Sequence, residues 1–328
     1  MNDSNPSRPF VVARDDRRHD AALRHSVVAI GNFDGVHRGH RAVIDTAIAQ
    51  ARALGRPAAA LTFEPHPLRF FRPDVPAFRL TEEAAKLRLL AATGLDGAIV
   101  LTFDAALANL TADEFIERVL VERFAIAGAV IGFNFHFGKN RTGSPDYLAA
   151  AGARLGFRVD VVPPRTDGGL RISSGAIRDA LAEGRVADAA HLLGFPWFVT
   201  GTVIRGDQRG RTLGYPTANI RLDPACGLKH GIYAVRVGIG DRRLDGVASF
   251  GRRPTFDDGA PLLEVFLFDF DGDLYGTTID VAFIAWIRPE LRFTGVDELV
   301  RHMDEDSRLA RVALAKAGDI YPPIGPPA

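Results

Sequence analysis

Cysteine is almost absent from the chain. Cys226 is the only one among 328 residues, so an intrachain disulfide and a metal site built from several cysteines are both excluded. Such sparing use is typical of a reducing compartment, and we expect a cytoplasmic protein. Net charge is absent as well, because 40 Lys and Arg balance 40 Asp and Glu. This balance argues against a basic surface dedicated to nucleic acid or to a membrane.

Long hydrophobic runs are missing too. The stretch from Ala125 to Phe133 is too short to span a bilayer. The first 24 residues hold five Arg but also four Asp, which is unlike a signal or transit peptide. What the chain does have is the composition of a folded protein, with 47% hydrophobic and 24% charged residues. Its length is about twice that of a usual domain, so we expect two domains.

The first half of the chain alternates short apolar runs with longer amphipathic ones. Glu82–Ala92 and Ala112–Phe124 repeat apolar residues every three or four positions, which predicts helices. The apolar runs predict strands at Ser26–Asn32, Ala58–Phe63, Gly97–Thr102, Ala127–Gly132 and Phe157–Val162. This alternation is typical of an α/β domain, in which helices cover a parallel sheet.

The pattern changes after Gly194. Apolar runs at Phe198–Ile204, Ile232–Val237 and Leu262–Phe268 follow one another with turns and no helical pattern between them, which predicts a mostly β domain. Val296–Ala317 is amphipathic and predicts one closing helix. We therefore expect one domain over residues 1–194 and a second over residues 195–328.

A glycine-rich motif, GNFDGVHRGH, runs from Gly31 to His40 between a predicted strand and a helix predicted over Arg41–Arg52. The start of a helix directs free amides and a positive dipole end at such a loop, which suits an anion such as phosphate. His37 and His40 are three apart, so they share one face of a helical turn and can both donate to phosphate oxygens. Two alternatives stay open. In the first, both histidines are polar surface residues at the start of the helix. In the second, they bind a metal ion, although no third His, Cys or carboxylate ligand is found at a suitable spacing in the sequence.

Two other nucleotide-binding motifs fail on their spacing. GFNFHFGKN, from Gly132 to Asn140, is one residue too long for a P-loop and lacks the Ser or Thr that follows the P-loop lysine. No GxGxxG follows a predicted strand, so a dinucleotide-binding domain of the dehydrogenase type loses its main support.

The first half of the chain resembles a known family. HRGH is similar to the HxGH signature of nucleotidyltransferases. TFEPHP at Thr62–Pro67, GFNFHFG at Gly132–Gly138 and RISSGAIR at Arg171–Arg178 follow in the order and spacing of the adenylyltransferase half of bacterial bifunctional riboflavin kinase/FAD synthetases. The resemblance implies a Rossmann-like domain that transfers AMP from ATP to FMN and releases pyrophosphate. Such a transfer needs positioned donors more than a protein nucleophile.

The resemblance also implies roles for single residues. His37, His40 and Asn134 are expected at the reacting groups, and Asn134 and Phe137 at the flavin. The residues expected to hold ATP phosphates are Gly31, Phe33, Gly35, Gly39, Arg171, Ser173, Ser174 and Arg178.

Several of these residues have a structural alternative. One serine can be the N-cap of a helix predicted over Gly175–Glu183. Asn134 can be a turn residue, and Phe137 can be part of the core. The family has Thr where this chain has Gly175, and the loss of that hydroxyl is expected to weaken adenylyl transfer.

The second half carries its own glycine-rich stretch, GTVIRGDQRGRTLGYPTANI, from Gly201 to Ile220. Its glycines and arginines can fold over phosphates. In an extended PTAN, Thr217 and Asn219 are two apart and project on one side, where a hydroxyl and an amide oxygen suit Mg²⁺ together with nucleotide phosphates. A flexible surface loop and an RNA contact are the alternatives, and the neutral overall charge disfavours the second.

Glu264 stands in the apolar sequence LLEVFLFDF. Leu263, Val265 and Leu267 would cover one face of a strand, which leaves Glu264 among aromatic residues on the other face. A carboxylate so placed can accept a proton from a hydroxyl nucleophile. A salt bridge at the rim of a barrel is the alternative.

These stretches resemble the riboflavin kinase half of the same family, together with GIYAV at Gly231–Val235, GRRPTF at Gly251–Phe256 and DLYG at Asp273–Gly276. The resemblance implies a small antiparallel β-barrel that phosphorylates riboflavin with ATP. It also implies that Thr217 and Asn219 meet Mg²⁺ and phosphate, and that Glu264 is the general base and contacts the flavin.

Further residues take implied roles in the kinase half. Gly206, Gly210 and Arg211 are expected at the ATP phosphates. Ser249 replaces the usual Asn of the family and is expected to change only a local packing or flavin contact.

The resulting prediction is a two-domain cytoplasmic enzyme that converts riboflavin to FMN and FMN to FAD. ATP is its co-substrate, Mg²⁺ its cofactor, and small molecules are its partners rather than nucleic acid or a membrane. A homo-oligomer is left open. Two alternatives remain: a riboflavin kinase whose adenylyltransferase domain is weak or inactive because of Gly175, and a flavin-binding or RNA-binding module without catalysis.

Overall fold

The computed structural model describes residues 9–206, 210, 213–252 and 261–325. The chain divides into two compact units. The first comprises Met1–Val75 and Glu82–Ile172, and the second comprises Pro76–Thr81 and Ser173–Ala328. Pro76–Thr81 therefore belongs to the second unit, although residues of the first unit stand on both sides of it in sequence.

The first unit is built on a six-stranded parallel sheet. Its strands are β1 (Val11–Ala13), β2 (Val27–Ile30), β3 (Ala58–Glu64), β4 (Gly97–Thr102), β5 (Gly128–Gly132) and β6 (Arg158–Val162), in the order β1-β4-β3-β2-β5-β6. The chain moves outward from β2 through β3 to β4 and then returns to β5 on the other side of β2. The carboxyl ends of β2 and β5 thus border the switch point at which ligands bind in open α/β sheets.

Helices connect these strands. They are α1 (Asp20–Leu23), α2 (Arg38–Leu54), α3 (Pro67–Phe71), α4 (Glu83–Ala91), α5 (Ala105–Ala108), α6 (Ala112–Glu114) and α7 (Pro145–Leu155), and a π-helix continues α6 over Phe115–Arg123. A short antiparallel hairpin of β7 (Thr166–Asp167) and β8 (Leu170–Arg171) follows β6. β2 is buried along its whole length, because parallel sheets are covered on both faces.

The second unit is an antiparallel sheet of six strands that nearly closes on itself. The strands are β9 (Phe198–Thr202), β10 (Thr217–Arg221), β11 (Gly231–Ile239), β12 (Arg242–Arg252), β13 (Pro261–Leu267) and β14 (Thr278–Arg288), in the order β10-β13-β12-β11-β14-β9. Ile204, just beyond β9, donates its N–H to the carbonyl of Asn219 in β10 at 2.8 Å. This bridge joins the two outer strands, so the sheet is a nearly closed barrel.

The helices of the second unit are α8 (Ser174–Ala182), α9 (Val186–Leu193) and α10 (Val296–Ala317). Ile177 and Leu193 of α8 and α9 join the core that Tyr233, Phe250 and Phe283 form inside the barrel. α10 adds Ala310 and Leu314 to a second apolar cluster with residues of β11 and β14. The predicted closing helix therefore packs on the barrel.

Both predicted fold classes are confirmed, and β4 and α10 match their predicted bounds at both ends. The helix predicted over Ala112–Phe124 differs, because most of it is a π-helix. The domain boundary at residue 194 stays a prediction, and α8 and α9 precede it although they belong to the second compact unit. No helix within the described ranges is both long and apolar enough to cross a membrane.

Candidate active sites

His37 and His40 lie where the loop after β2 enters α2. His37 is the N-cap of α2, and its Nδ1 accepts a hydrogen bond from the backbone N–H of His40 at 3.2 Å. The two imidazole rings stack with 3.6 Å between their centroids. Gly39 leaves room for this arrangement, because a Cβ there would lie 3.0 Å from Cε1 of His37. The rings therefore share one face, as their spacing in the sequence predicts.

The surroundings of His40 favour a neutral ring. Burial lowers the pKa of His40 well below its usual 6.5, and the charges of His37 and Lys86 lower it further. The ring of Phe33 contacts it edge-on at 5.4 Å. Nδ1 of His40 is buried without a hydrogen-bond partner among the described residues. Buried polar atoms are rarely left unpaired, so this nitrogen is a candidate to contact a ligand.

The loop between β2 and α2 has an unusual backbone. Phe33 and Val36 have φ angles of 49° and 42°, in the left-handed region that few residues other than glycine adopt. Both side chains are buried, with 1% of their surface exposed. Gly31, at the start of the loop, packs against the ring of Phe33. Such conformations persist where the surrounding structure fixes them, commonly at functional sites.

Lys86 is a residue near this loop that sequence reasoning missed. It lies on α4 and is 2% exposed. Its Nζ is 2.6 Å from Oε1 of Glu64, 3.3 Å from Oγ1 of Thr62 and 3.5 Å from the carbonyl oxygen of Asn32. A signal for it exists in the sequence, because Lys86 falls within the buried stripe that Ala85, Leu89 and Leu90 define. A lysine in such a stripe is buried only when it is paired.

The loop after β5 carries the next predicted site residue. Asn134 is exposed at the carboxyl end of β5, beside the carboxyl end of β2. Its carbonyl oxygen is 3.0 Å from Nδ1 of His136. Phe137 is 8% exposed and packs in the core, with its ring stacked on Phe135. That placement favours the core alternative for Phe137, whose flavin contact stays a prediction.

The β7–β8 hairpin adds Arg171 to the same edge of the first unit. The guanidinium of Arg171 lies over the ring of Phe133, 4.6 Å from its centroid. Asp167 of the hairpin accepts a 2.5 Å hydrogen bond from Nη1 of Arg38. These two contacts join the hairpin to the loop after β5 and to the start of α2, so Arg171 lies at the same end of the sheet as the histidines.

An aromatic cluster borders the neighbouring strands and was also missed. Phe70 and Phe71 follow β3 on α3, and Phe103 follows β4. Phe71 is 64% exposed, and the three rings contact one another edge-on at 5.3 to 5.6 Å between centroids. A cluster with two exposed aromatic rings is suited to a flat, apolar ligand.

Ser173, Ser174 and Arg178 belong to the second compact unit. Ser173 is the N-cap of α8, and its Oγ accepts the N–H of Ala176 at 3.2 Å. The capping alternative thus holds for Ser173, while Ser174 lies inside the helix. Nε of Arg178 donates to the carbonyl oxygen of Phe78 at 2.6 Å. Their roles at ATP phosphates stay predictions.

The kinase candidates lie on adjacent strands of the barrel. Asn219 of β10 is directly opposite Glu264 of β13, and Ser249 of β12 is opposite Glu264 on its other side. Directly opposite residues project from the same face of a sheet. Leu263 and Val265 are 0% exposed while Glu264 is half-buried, so the predicted alternation is present. The register thus assembles an amide, a carboxylate and a hydroxyl in one row.

Asn219 has the character of a ligand-binding residue. It is 4% exposed, and its Nδ2 donates to the carbonyl oxygen of Thr217 at 3.1 Å. Its Oδ1 is buried and has no hydrogen-bond partner among the residues that the structure describes. A Cβ at Gly206 would lie 2.7 Å from this oxygen, so only glycine lets the loop pass so close.

The segment before β10 is fastened to α10. Gly210 accepts a hydrogen bond from the N–H of Tyr215 at 2.8 Å. The Tyr215 hydroxyl donates to Asp304 of α10. Burial raises the pKa of Tyr215 to about 12, with Asp304 contributing next. Arg211 lies outside the described residues, so its predicted role stays a prediction.

Two family models divide the chain between them. Residues 19–176 match the model of FAD synthetase, and residues 193–314 match that of riboflavin kinase. A bifunctional riboflavin kinase/FMN adenylyltransferase from Escherichia coli K12 is 42% identical over 286 residues, which cover 87% of this chain and 91% of that protein. The chain belongs to the bifunctional riboflavin kinase/FMN adenylyltransferase family.

Other members and a solved structure agree in length and fold. The family member from Pseudomonas fluorescens is 39% identical over 89% of this chain and 94% of its own length. A crystal structure from Streptococcus pneumoniae, titled as a macrolide-efflux protein, superimposes with a TM-score of 0.81 at 33% identity. That match covers 92% of this chain and 99% of the other. Family membership confirms the resemblance predicted from the sequence, while the roles of single residues remain to be tested.

Proposed function

We propose that the chain catalyses two successive ATP-dependent transfers, phosphorylation of riboflavin to FMN and adenylylation of FMN to FAD. Membership of the family supports both, and it confirms the transferase function predicted from the sequence. The structural observation that carries the proposal is the presence of two chemically different candidate sites. One is a pair of stacked histidines at a switch point, and the other is a row of polar side chains across a barrel.

Glu264 is the proposed general base of the kinase. The riboflavin hydroxyl gives its proton to this carboxylate while its oxygen bonds to the γ-phosphorus of ATP, and ADP leaves. Asn219 lies directly opposite Glu264 on the neighbouring strand, so the residue proposed to meet Mg²⁺ and phosphate is held next to the proposed base. Half-burial of Glu264 restricts competition by water.

Thr217 and Asn219 are the proposed Mg²⁺ ligands. Oδ1 of Asn219 is a hard oxygen donor that is buried and otherwise unpartnered among the described residues, and the Thr217 hydroxyl lies 3.5 Å from the Asn219 amide nitrogen. Oxygen donors of this kind fit Mg²⁺ together with phosphate oxygens. When bound, Mg²⁺ would neutralise part of the charge on the transferred phosphates.

His37, His40 and Arg171 are the proposed donors for adenylyl transfer. A phosphate oxygen of FMN attacks the α-phosphorus of ATP, and pyrophosphate leaves. The role of the side chains is to hold hydrogen bonds where negative charge develops. Stacking fixes the two imidazoles against each other, and Arg171 adds a permanent cation at the same edge of the sheet.

The flavin ring of FMN is proposed to contact the aromatic cluster of Phe70, Phe71 and Phe103. Phe70 and Phe71 are exposed and Phe103 is half-buried, whereas Phe137 is buried in the core. Asn134 is the proposed polar partner at the carboxyl end of β5. Aromatic surfaces of this kind bind flat heterocycles by stacking.

A chromatographic time course with riboflavin, ATP and Mg²⁺ tests the proposal. We expect FMN to appear first and FAD to follow as FMN accumulates. Absence of both products would contradict the proposed function and favour a flavin-binding module. Glu264→Gln is expected to abolish FMN formation but to retain riboflavin binding, and unchanged turnover would remove Glu264 from the mechanism.

A second candidate function is a riboflavin kinase with a weak adenylyltransferase. Gly175 favours it. A Cβ at this position would meet only Oγ of Ser173, at 3.7 Å, so no neighbouring group occupies the space that the threonine side chain of the family would fill. Gly175→Thr is expected to raise FAD formation from FMN about tenfold if that hydroxyl binds phosphate. Gly175→Val, which has the same bulk without the hydroxyl, is the matched control.

We further propose that the protein works in the cytoplasm on small-molecule substrates, without nucleic acid or membrane partners. The single cysteine and the balanced charge support this environment.

A further inference from the structure

The ammonium of Lys86 uses its full hydrogen-bonding capacity inside the first unit. A lysine has three N–H donors, and Nζ of Lys86 has three acceptors within 3.5 Å, on Glu64, Thr62 and Asn32. The side chain of Glu64 is 10% exposed and Thr62 is fully buried. Lys86 therefore has no donor left for a substrate, and any role in the reaction acts through the groups that it holds.

Asn32 is the group through which Lys86 can act. It is the first residue after Gly31 in the loop that leads to His37, and its carbonyl oxygen accepts from Lys86 and also from Oγ1 of Thr62 at 3.2 Å. Phe33, the next residue, has the left-handed conformation described above. A carbonyl fixed by two donors at this point determines the direction in which the strained loop leaves the sheet.

The charge of Lys86 also lowers the pKa of His40. The groups whose fields lower the pKa of His40 are His37 and Lys86, after burial itself. Glu64 is the ion-pair partner of Lys86, at 2.6 Å. Lys86 thus lies close enough to the candidate site to favour the neutral form of His40.

We propose that Lys86 is a positioning residue for adenylyl transfer, whose buried ammonium fixes the Asn32 carbonyl and thereby the loop that presents His37 and His40 to the phosphates of ATP. The inference rests on the proposed adenylyltransferase function of the first unit. Donors that meet charge in the transition state act on kcat, and small displacements of them are costly.

The decisive comparison is between Glu64→Gln and the double variant Glu64→Gln/Lys86→Met. Lys86→Met alone would take the Lys86 counter-charge from the buried Glu64 carboxylate, whereas the two chosen variants carry no carboxylate at residue 64 and differ only in the lysine. We expect kcat for FAD formation from FMN to fall about 10²-fold from the single to the double variant, with a much smaller change in KM for ATP. FMN formation from riboflavin, measured in the same samples, is expected to stay unchanged.

Equal kcat values in the two variants would overturn the inference and leave Lys86 with a purely structural role. An equal fall of FMN and FAD formation would overturn it as well, because the effect would not be specific to adenylyl transfer. If the wild-type chain makes FMN but no FAD, the proposed function of the first unit fails instead, and that outcome is visible before any variant is compared.

Thr62→Val provides a second test that leaves the ion pair intact. It removes the hydroxyl that bridges Lys86 and Asn32, and Thr62→Ser keeps that hydroxyl and is the matched control. We expect Thr62→Val to lower kcat for FAD formation about tenfold relative to Thr62→Ser, which corresponds to the loss of one hydrogen bond. Equal kcat values would contradict the inference even if the double variant failed to fold.

Discussion

At the scale of single residues, two glycines leave space that neighbouring side chains of the candidate sites occupy. Gly39 leaves room for the ring of His37, and Gly206 leaves room for the carboxamide of Asn219, where a Cβ would come within 2.7 Å. Neither requirement can be seen in the sequence, because each depends on a neighbour that folding brings close. Gly175 differs, since a Cβ there would meet only Oγ of Ser173 at 3.7 Å.

Gly206→Ala is expected to displace Asn219, a proposed Mg²⁺ ligand, and to lower kcat for FMN formation about 10²-fold, because small displacements of groups that position the reacting phosphates are costly. FAD formation from added FMN should not change. Gly175→Ala is the control, with unchanged FMN formation. Product chromatography from riboflavin and from FMN measures both steps, and wild-type FMN formation by Gly206→Ala would show that the loop tolerates the methyl group.

The low pKa of His40 predicts that the first unit is less stable in acid. Below about pH 6.5 the unfolded chain binds a proton that the folded His40 does not. The free energy of unfolding therefore falls as the pH falls from about 7 to 5, by up to about 1.4 kcal/mol per pH unit.

Hydrogen exchange of backbone amides in β2 and β3 measures this stability for the first unit alone. His40→Gln is expected to remove most of the slope with pH. A slope that is the same in this variant would assign the acid sensitivity to other groups.

At the scale of secondary-structure elements, one buried ion pair fixes α10 on the barrel. Arg288 of β14 donates to both carboxylate oxygens of Asp306, from Nε at 2.7 Å and from Nη2 at 2.6 Å. The Asp306 side chain is 7% exposed. Bidentate pairs of this kind are specific in geometry. This pair therefore holds α10 against the barrel and also fixes the rotation of the helix about its axis.

Asp306→Asn is expected to lower the free energy of unfolding of the second unit by about 3 kcal/mol, because it leaves the Arg288 guanidinium without its counter-charge. Both tryptophans, Trp197 and Trp286, lie in this unit, so denaturation followed by tryptophan fluorescence reports on it alone.

Glu305→Gln is the neighbouring control. Its exposed pair with Arg308 should contribute nothing measurable. If Asp306→Asn and Glu305→Gln had equal effects, the burial of the Arg288 pair would not matter.

Sequence patterns predicted the elements with strong periodicity and missed those that depend on distant partners. Gly97–Thr102 and Val296–Ala317 carry enough residues for their pattern to fix both ends. β1 has three residues, and it is a strand because Val11 pairs with Gly97 of β4. Lys86 was missed for a similar reason, since its ammonium contacts β3 and the loop after β2, which the pattern of its own helix does not contain.

At the scale of the whole molecule, His37 and Glu264, the central candidates for the two transfers, belong to different compact units. Ser173, Ser174 and Arg178, which are predicted at the ATP phosphates of adenylyl transfer, belong to the second unit. His37 lies in the first and Glu264 in the second, and each unit has a hydrophobic core of its own. We therefore expect His37→Ala to remove FAD formation and to leave FMN formation intact.

A mixture of His37→Ala and Glu264→Gln chains is expected to convert riboflavin to FAD, because FMN released by the first variant is a substrate for the second. Product chromatography of the mixture, with each variant alone as control, measures this complementation. FMN that accumulates without FAD in the mixture would contradict free exchange of the intermediate between chains.

The register of β10 and β13 has a practical consequence. Asn219 and Glu264 owe their proximity to the pairing of these two strands, so the spacing between the proposed Mg²⁺ ligand and the proposed general base is lost when the sheet opens. The loss of FMN production during heating then reports the unfolding of the barrel, so activity measures the folded fraction of the second unit without any label or probe.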